Sequence, residues 1–483
     1  MFRTYSKSIS EQSILKQQVA KNTIISFLGK IISSLIGLIS IAFIARELGP
    51  DGFGSYNTAI AFLYIFSVFA DFGLYQILTR EISKDDVAEH RIVSYIFTTR
   101  VLLLFFFYTI SFIVVYFIPV YPNQIKLGIM TASLGFVFLS LSQVLMGIFQ
   151  KYLKTLLPAI ADISARIIQL VLVVYLYQRE SSFLDFLLIF VIGAFVNFIF
   201  VYIFTKRYVS FSFLFNRLAI YNILRESWPL AVSSILVLIY FKGDTLIISF
   251  LKDAKDVGIY NIAYKVIENI IFFPAMFVGL VMPLLSNYFI LNTDNFKKVF
   301  QKAFDFLNII SIPIICGAFY LAPEIINIIG GSGFEESVLT LRVLIFSIFF
   351  IFLGALFGST IIAINKQKQV MFAYGISAIF NISANIYFIN KYSYIGASFV
   401  NVITEFLATI LMFFIIYRSI KYIPKVMVLF KATISSLLMT LALFLFPVQN
   451  IIILFFVGLF VYFSVMYIVR GISKDDFLLF FKK

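Results

Sequence analysis

Apolar runs of about 20 residues, separated by short polar stretches, follow one another from residue 22 to residue 469. At 1.5 Å rise per residue, about 20 mainly apolar residues cross the hydrocarbon core of a bilayer. Fourteen runs meet that length, at about 22–43, 56–78, 92–118, 125–150, 156–177, 185–205, 227–250, 259–285, 302–322, 338–363, 370–389, 395–417, 426–446 and 450–469. They are too long for barrel strands and do not alternate in polarity. The pattern therefore predicts an all-α polytopic membrane protein of about 14 transmembrane helices.

One short pattern occurs twice. Gly54, Tyr56, Asn57 and Ala59 form a Gly-x-Tyr-Asn-x-Ala motif, and Gly258, Tyr260, Asn261 and Ala263 repeat it 204 residues later. The two copies open spans 2 and 8. Six spans separate them, an even number, so both corners face the same side. That predicts two parallel six-helix lobes related by an axis along the membrane normal, an arrangement suited to alternating access. The expected organisation is a tail at 1–21, an N-terminal lobe at 22–205, a linker at 206–226, a C-terminal lobe at 227–417, two further helices within 418–470 and a tail at 471–483. The linker, "KRYVSFSFLFNRLAIYNILRE", is basic and aromatic and is expected to form an amphipathic helix on the inner leaflet.

Composition narrows the class. Of 483 residues 61% are hydrophobic and 13% charged, and mean hydropathy is +1.00, whereas a soluble chain is about a quarter charged. The net charge of +14 would suggest nucleic acid in a soluble protein. Here 25 of the 38 Lys and Arg fall in segments on the N-terminal side of the membrane and six on the other. That bias puts both termini in the cytoplasm, predicts a cytoplasmic-membrane location, and leaves no role for nucleic acid. The first 21 residues are polar, so no cleavable signal peptide is expected. One Cys (Cys316) and one His (His90) build no disulfide framework and no His/Cys metal site. No P-loop is present, and "GGSGFEES" at 330–337 follows no strand and reads as a turn. No cofactor is expected.

Charges inside spans carry the chemistry, because each costs several kcal/mol unless it meets a partner or a wet cavity. Asp305, Arg342 and Lys431 lie near span ends and can snorkel. Helical spacing groups the deeper ones into stripes. Ser26, Lys30, Ser33, Gly37 and Ser40 share a face of span 1, and Tyr64, Ser67, Asp71 and Tyr75 a face of span 2. Asp162, Arg166 and Gln169 share a face of span 5, and Asn261, Lys265 and Glu268 a face of span 8. Span 11 offers Ser377, Asn381 and Asn385, span 12 Asn401 and Glu405, and span 7 Lys242 and Asp244. Asp162–Arg166 and Lys265–Glu268 are either structural ion pairs or parts of a site. Lys30, Arg100 and Lys242 have no opposite charge at i±3 or i±4, which calls for an anionic ligand or an acid on another helix. Asp71 is likewise unpaired locally, and either carries a proton or meets Lys30.

"ARELGPDGFGSYNTAIAF…FADFGL" (45–74), "GGSGFEESVLTLRVLIFS" (330–347) and "AINKQKQVMFAYGISAIFNISANIYFINKYSYIGASFVNVITEF" (363–406) resemble the bacterial polysaccharide flippases, the Wzx-like, O-antigen-exporter branch of the MOP superfamily. The resemblance covers nearly the whole chain. It implies lobes of helices 1–6 and 7–12 around a hydrophilic cavity, and movement of a polyprenyl-diphosphate-linked oligosaccharide to the outer leaflet. It also implies membrane lipids, a polysaccharide polymerase and chain-length regulators as partners. No cavity residue is carried over from the family. On charge alone, Lys30, Arg100, Arg166, Lys242 and Lys265 are the candidate substrate-binding residues. Asp71, Asp162, Asp244, Glu268 and Glu405 are the candidate orienting or ion-coupling residues.

Two rivals remain. A cation exporter of the MATE type needs an acidic cavity, and five deep bases against five deep acids do not decide. A membrane polysaccharide polymerase or ligase uses a large outer loop with catalytic Arg or His. The longest outer loop here, 323–337, is about 15 residues and contains no Arg, Lys or His.

Overall fold

The computed structural model describes residues 9–84, 88–446 and 450–471, with the backbone alone for residues 9–21, 23, 24, 229, 230 and 232–241. The N-terminal tail's side chains and nearly all of the C-terminal tail thus lie outside the described residues. The regular structure among the described residues is helical throughout. The elements are α1 (Ile9–Asp71), α2 (Leu74–Ile82), α3 (Glu89–Tyr116), α4 (Asn123–Lys151), α5 (Leu156–Leu176), α6 (Phe183–Lys206), α7 (Arg217–Leu251), α8 (Ala254–Leu291), α9 (Thr293–Tyr320), α10 (Ala322–Gly330), α11 (Ser337–Leu344), α12 (Ser347–Ala363), α13 (Gln367–Ile420), α14 (Met427–Leu445) and α15 (Ile451–Ile468). Eleven stretches are long and apolar enough to span a membrane, and the two longest, Ile25–Ile82 and Gln367–Ile420, each cover two of the expected spans. Span 7 corresponds to α7.

The chain divides into two compact units. The first is Met1–Leu48 with Ser55–Ile239, and the second is Gly49–Gly54 with Tyr240–Lys483. In the first, α4 packs on α6 through small residues, as helices in lipid do. Gly128 lies against Phe183 and Leu187, and Gly135 against Phe190, so closely that a Cβ at either would stand under 3 Å from a ring carbon. In the second, α14 and α15 dock on α9 around Leu321, Met439, Leu443, Leu454 and Tyr462. The Tyr462 hydroxyl donates to the Ile309 carbonyl at 2.7 Å, which gives its polar tip a partner inside an apolar seam.

Two local expectations are corrected. Span 2 is not continuous: α1 stops at Asp71, Phe72 and Gly73 adopt φ 48° and 74°, and α2 restarts at Leu74. The linker is not a helix over 206–226, because residues 207–216 belong to no helix and α7 begins only at Arg217. Val209, Phe211, Phe213 and Phe215 alternate with smaller residues at the period of a strand. The N–H groups of Ser212 and Leu214 donate to Ser94 Oγ and Thr98 Oγ1, both at 3.0 Å, one turn apart on α3. Phe211 and Phe213 flank Phe97 there, with centroids 5.0 and 5.7 Å away.

Candidate functional site

In the first unit, the break after Asp71 frees backbone carbonyls inside the span, and Arg100 on α3 meets them. Its Nη1 donates to Asp71 Oδ1 at 2.6 Å and to the Ala70 carbonyl at 3.0 Å. Its Nη2 donates to the Ser140 carbonyl and Gln143 Oε1, each at 3.3 Å. The side chain has no exposed surface. Arg100 thus braces the broken helix, and its side chain is enclosed on all sides. Asp71 meets Arg100 rather than Lys30, because α3 lies beside the break.

Stripes of α1 and α5 face one another in the same unit. Gly29 packs on Ala159, Ser33 Oγ donates to Asp162 Oδ2 at 2.6 Å, and Gly37 lies beneath the Arg166 guanidinium. Asp162 therefore spends its best hydrogen bond on Ser33, and Arg166 Nε stands 3.9 Å from its other oxygen. Arg166 is 42% exposed, touches Gln169 at 3.5 Å, and has Tyr56 within electrostatic reach. Lys30 is exposed on the same face of α1. A loosely held guanidinium with an ammonium on the adjacent stripe can take an anion, since Arg offers two parallel donors.

The second unit holds two clusters. Glu268 on α8 accepts from Lys242 Nζ at 2.8 Å and from Lys265 Nζ at 2.6 Å. The acid that Lys242 required is thus on a neighbouring helix, and the trio carries one net positive charge. Deeper lies Asp244 on α7, 1% exposed. Its Oδ1 accepts from Asn381 at 3.0 Å and Asn385 at 2.6 Å, and its Oδ2 from Tyr260 at 2.8 Å and Asn401 at 3.0 Å. All four donors are neutral. Asn385 Oδ1 is buried there without a hydrogen-bond partner. Glu405, one turn from Asn401 on α13, lines a cavity of about 290 Å³ with Tyr374, Thr409 and Gly354.

The sequence stripes had singled out Asp244, the asparagines and Glu405 separately. Their convergence, and Tyr260 as a donor to Asp244, were missed. The signal was present in the repeated Tyr of the motif, which was read only as evidence of duplication.

The fold defines a multi-pass membrane protein. Overlaid on solved structures, the chain is similar to lipid II flippase MurJ in an inward closed conformation (TM-score 0.78, 17% identity, 92% of this chain and 98% of that one). It is also similar to an inward-facing multidrug resistance MATE family transporter of the MOP superfamily (TM-score 0.66, 13% identity, 83% and 98%). The family described as polysaccharide biosynthesis protein matches residues 19–289, and the MatE family matches residues 229–387. A putative O-antigen transporter of Shigella flexneri is 26% identical across 79% of this chain and 93% of its own length. The capsular polysaccharide biosynthesis protein CapF of Staphylococcus aureus is 24% identical across 81% and 98%. The chain belongs to the polysaccharide biosynthesis protein family, within the MOP superfamily that its sequence resembles.

Proposed function

We propose that the protein is a flippase that carries a polyprenyl-diphosphate-linked oligosaccharide across the cytoplasmic membrane by alternating access, with both termini in the cytoplasm. The observation that carries the reading is Arg166. It lies about 15 Å along α5 at 1.5 Å per residue, is half exposed, and is held only loosely by Asp162. A diphosphate entering a low-dielectric site requires such a cation, and Lys30 adds a second. In this reading Asp162, fixed by Ser33, orients Arg166. Lys242 and Lys265, sharing one carboxylate, form a further anion-attracting group. Asp244, caged by neutral donors, is the ion-coupling group, with Glu405 beside its cage. Arg100 and Asp71 hold the broken span that the site is built against. Translocation needs no covalent step, and no residue is assigned a catalytic role.

The matched MatE region and MATE-like fold favour one rival, an ion-coupled exporter of small molecules. An exporter of cations does not explain an exposed guanidinium and ammonium on facing stripes. The test compares Arg166→Ala with the double change Asp162→Ala/Arg166→Ala, reading surface polysaccharide in cells that lack the native gene. If Arg166 grips the ligand, both variants are inactive at normal membrane abundance. Recovery of transport in the double variant reduces the pair to a structural one and removes the assignment.

A further inference from the structure

On α8, Tyr264 stands midway between Tyr260 and Glu268. Steps of four residues keep the three side chains on one face of a helix, and that face joins the two clusters of the second unit. At one end Glu268 accepts from the ammonium groups of Lys242 and Lys265. At the other the Tyr260 hydroxyl donates to Asp244 at 2.8 Å. Between them the Tyr264 ring stacks on that of Tyr260, with centroids 5.7 Å apart and planes inclined by 14°. The Lys242 ammonium lies over the Tyr264 ring, 5.4 Å from its centroid.

Contacts therefore run unbroken from Lys242 through two rings to Asp244. The backbone of α7 offers no such path. Lys242 and Asp244 are two residues apart, and two steps of a helix with 3.6 residues per turn point side chains about 200° apart. The two ends also differ in access. Glu268 is 37% exposed, whereas Tyr264, Tyr260 and Asp244 are buried. A dissolved anion thus meets the Glu268 end, while the carboxylate at the far end stays enclosed. Stacked rings fix each other's orientation, and a cation over a ring face is held by the ring's quadrupole.

We propose that Tyr264 is a positioning residue that makes cation affinity at Asp244 depend on anion binding at Lys242. This rests on the transport reading above, which gives the lysines to the anion and Asp244 to the coupling ion. With Lys242 shared between Glu268 and the Tyr264 ring, the stack holds the Tyr260 hydroxyl on Asp244 as one of four donors. An anion that draws the ammonium toward itself frees the Tyr264 ring and weakens the Tyr260 hydrogen bond. Asp244 then has a lone pair to offer a cation. Each ligand strengthens binding of the other, by the same factor in both directions. Lys265 shares the same carboxylate but reaches it along α8 itself, and it serves as the internal control.

The experiment uses the full chain purified in detergent, with farnesyl diphosphate as the anionic probe. Sodium is titrated against choline at constant ionic strength, and protons by pH, with the thermal midpoint giving half-saturation. In wild type, saturating probe is expected to lower the half-saturating cation concentration several-fold. Tyr264→Leu should still bind probe and cation, with that factor reduced to one. Tyr264→Phe, which keeps the ring, should retain the wild-type factor. A wild-type factor in Tyr264→Leu overturns the proposal, because the ring is then not required. If Tyr264→Leu does not accumulate, the lysines decide: Lys242→Gln should abolish the factor and Lys265→Gln preserve it. Equal factors in those two variants overturn the proposal. Wild-type protein that binds no farnesyl diphosphate removes the transport reading and the coupling with it, whereas binding without any effect on the cation removes the coupling alone.

Discussion

Tyr56 and Tyr260 occupy the same position of a duplicated motif, yet their surroundings are opposite in charge. In the second unit Tyr260 donates to a buried carboxylate, Asp244, that three asparagines also serve. In the first unit Tyr56 lies in the field of Arg166, a cation with a large exposed fraction and a carboxylate 3.9 Å away. The two copies share the motif, but the chemistry facing each differs. One copy faces a buried carboxylate that accepts from neutral donors, and the other an accessible cation. A carboxylate caged by neutral donors suits binding of a small cation or proton, and an accessible cation suits a large anion.

The largest effect is expected at Asp244. Asp244→Asn keeps the volume and removes the charge, so transport should stop while protein remains in the membrane at normal abundance. Asp244→Ala should in addition destabilise the second unit by several kcal/mol, since four buried donors lose their acceptor at about 1–3 kcal/mol each. Thermal unfolding in detergent separates the two. Normal transport in Asp244→Asn would make the cage a structural feature and collapse the contrast between the units.

The first unit also buries a charge completely, but Arg100 meets a carboxylate, whereas the hydrogen-bond partners of Asp244 among the described residues are all neutral. Arg100→Ala leaves Asp71 without its partner, and breaking such a pair costs about 3–5 kcal/mol. The protein should lose abundance or unfold at a clearly lower temperature. Replacing both, as Asp71→Leu/Arg100→Leu, should recover most of that stability. Recovery of transport as well would confine the pair to bracing the break at Phe72 and Gly73. Persistent inactivity in a stable double variant would return Arg100 to the site.

How far the sequence reaches is visible in these residues. The spans, the repeat and the charged stripes follow from periodicity and spacing, because lipid imposes length and each stripe lies within one helix. Partners on different helices do not follow from spacing. Asp71 with Arg100 and Lys242 with Glu268 are set by which helices pack together, 29 and 26 residues apart in sequence. The break at 72–73 was hidden because Phe72 gives no hint of a positive φ. The non-helical stretch of the linker was readable in its alternation of Val and Phe with Ser and Leu.

A smaller effect should distinguish the paired tyrosines directly. Tyr260→Phe removes one donor from the Asp244 carboxylate, a hydrogen bond to a charged group worth about 1.5–3 kcal/mol. Its transport should change its dependence on external sodium or pH. Tyr56→Phe should leave that ion dependence as in wild type, and alter instead the amount of lipid-linked substrate needed for half-maximal export. Identical shifts in both variants would mean the two copies still do one job.

The smallest effect separates burial from hydrogen bonding. Glu336, like Asp244, accepts from a tyrosine: Tyr394 donates to it at 2.5 Å and Lys255 at 2.9 Å. Unlike Asp244 it is 48% exposed. The Lys255 hydrogen bond, then that of Tyr394, holds its carboxyl below the usual glutamate range. A depressed folded value means the contribution to stability is present above the ordinary carboxylate range near pH 4–4.5 and fades as pH falls through the lower folded value. Glu336→Gln should therefore lower the thermal midpoint slightly at pH 7 and converge with wild type in acid, with transport nearly unchanged, because exposed pairs are screened. A loss of transport as deep as that of Asp244→Asn would mean that tyrosine-to-carboxylate bonding itself, and not enclosure, is what the second unit uses.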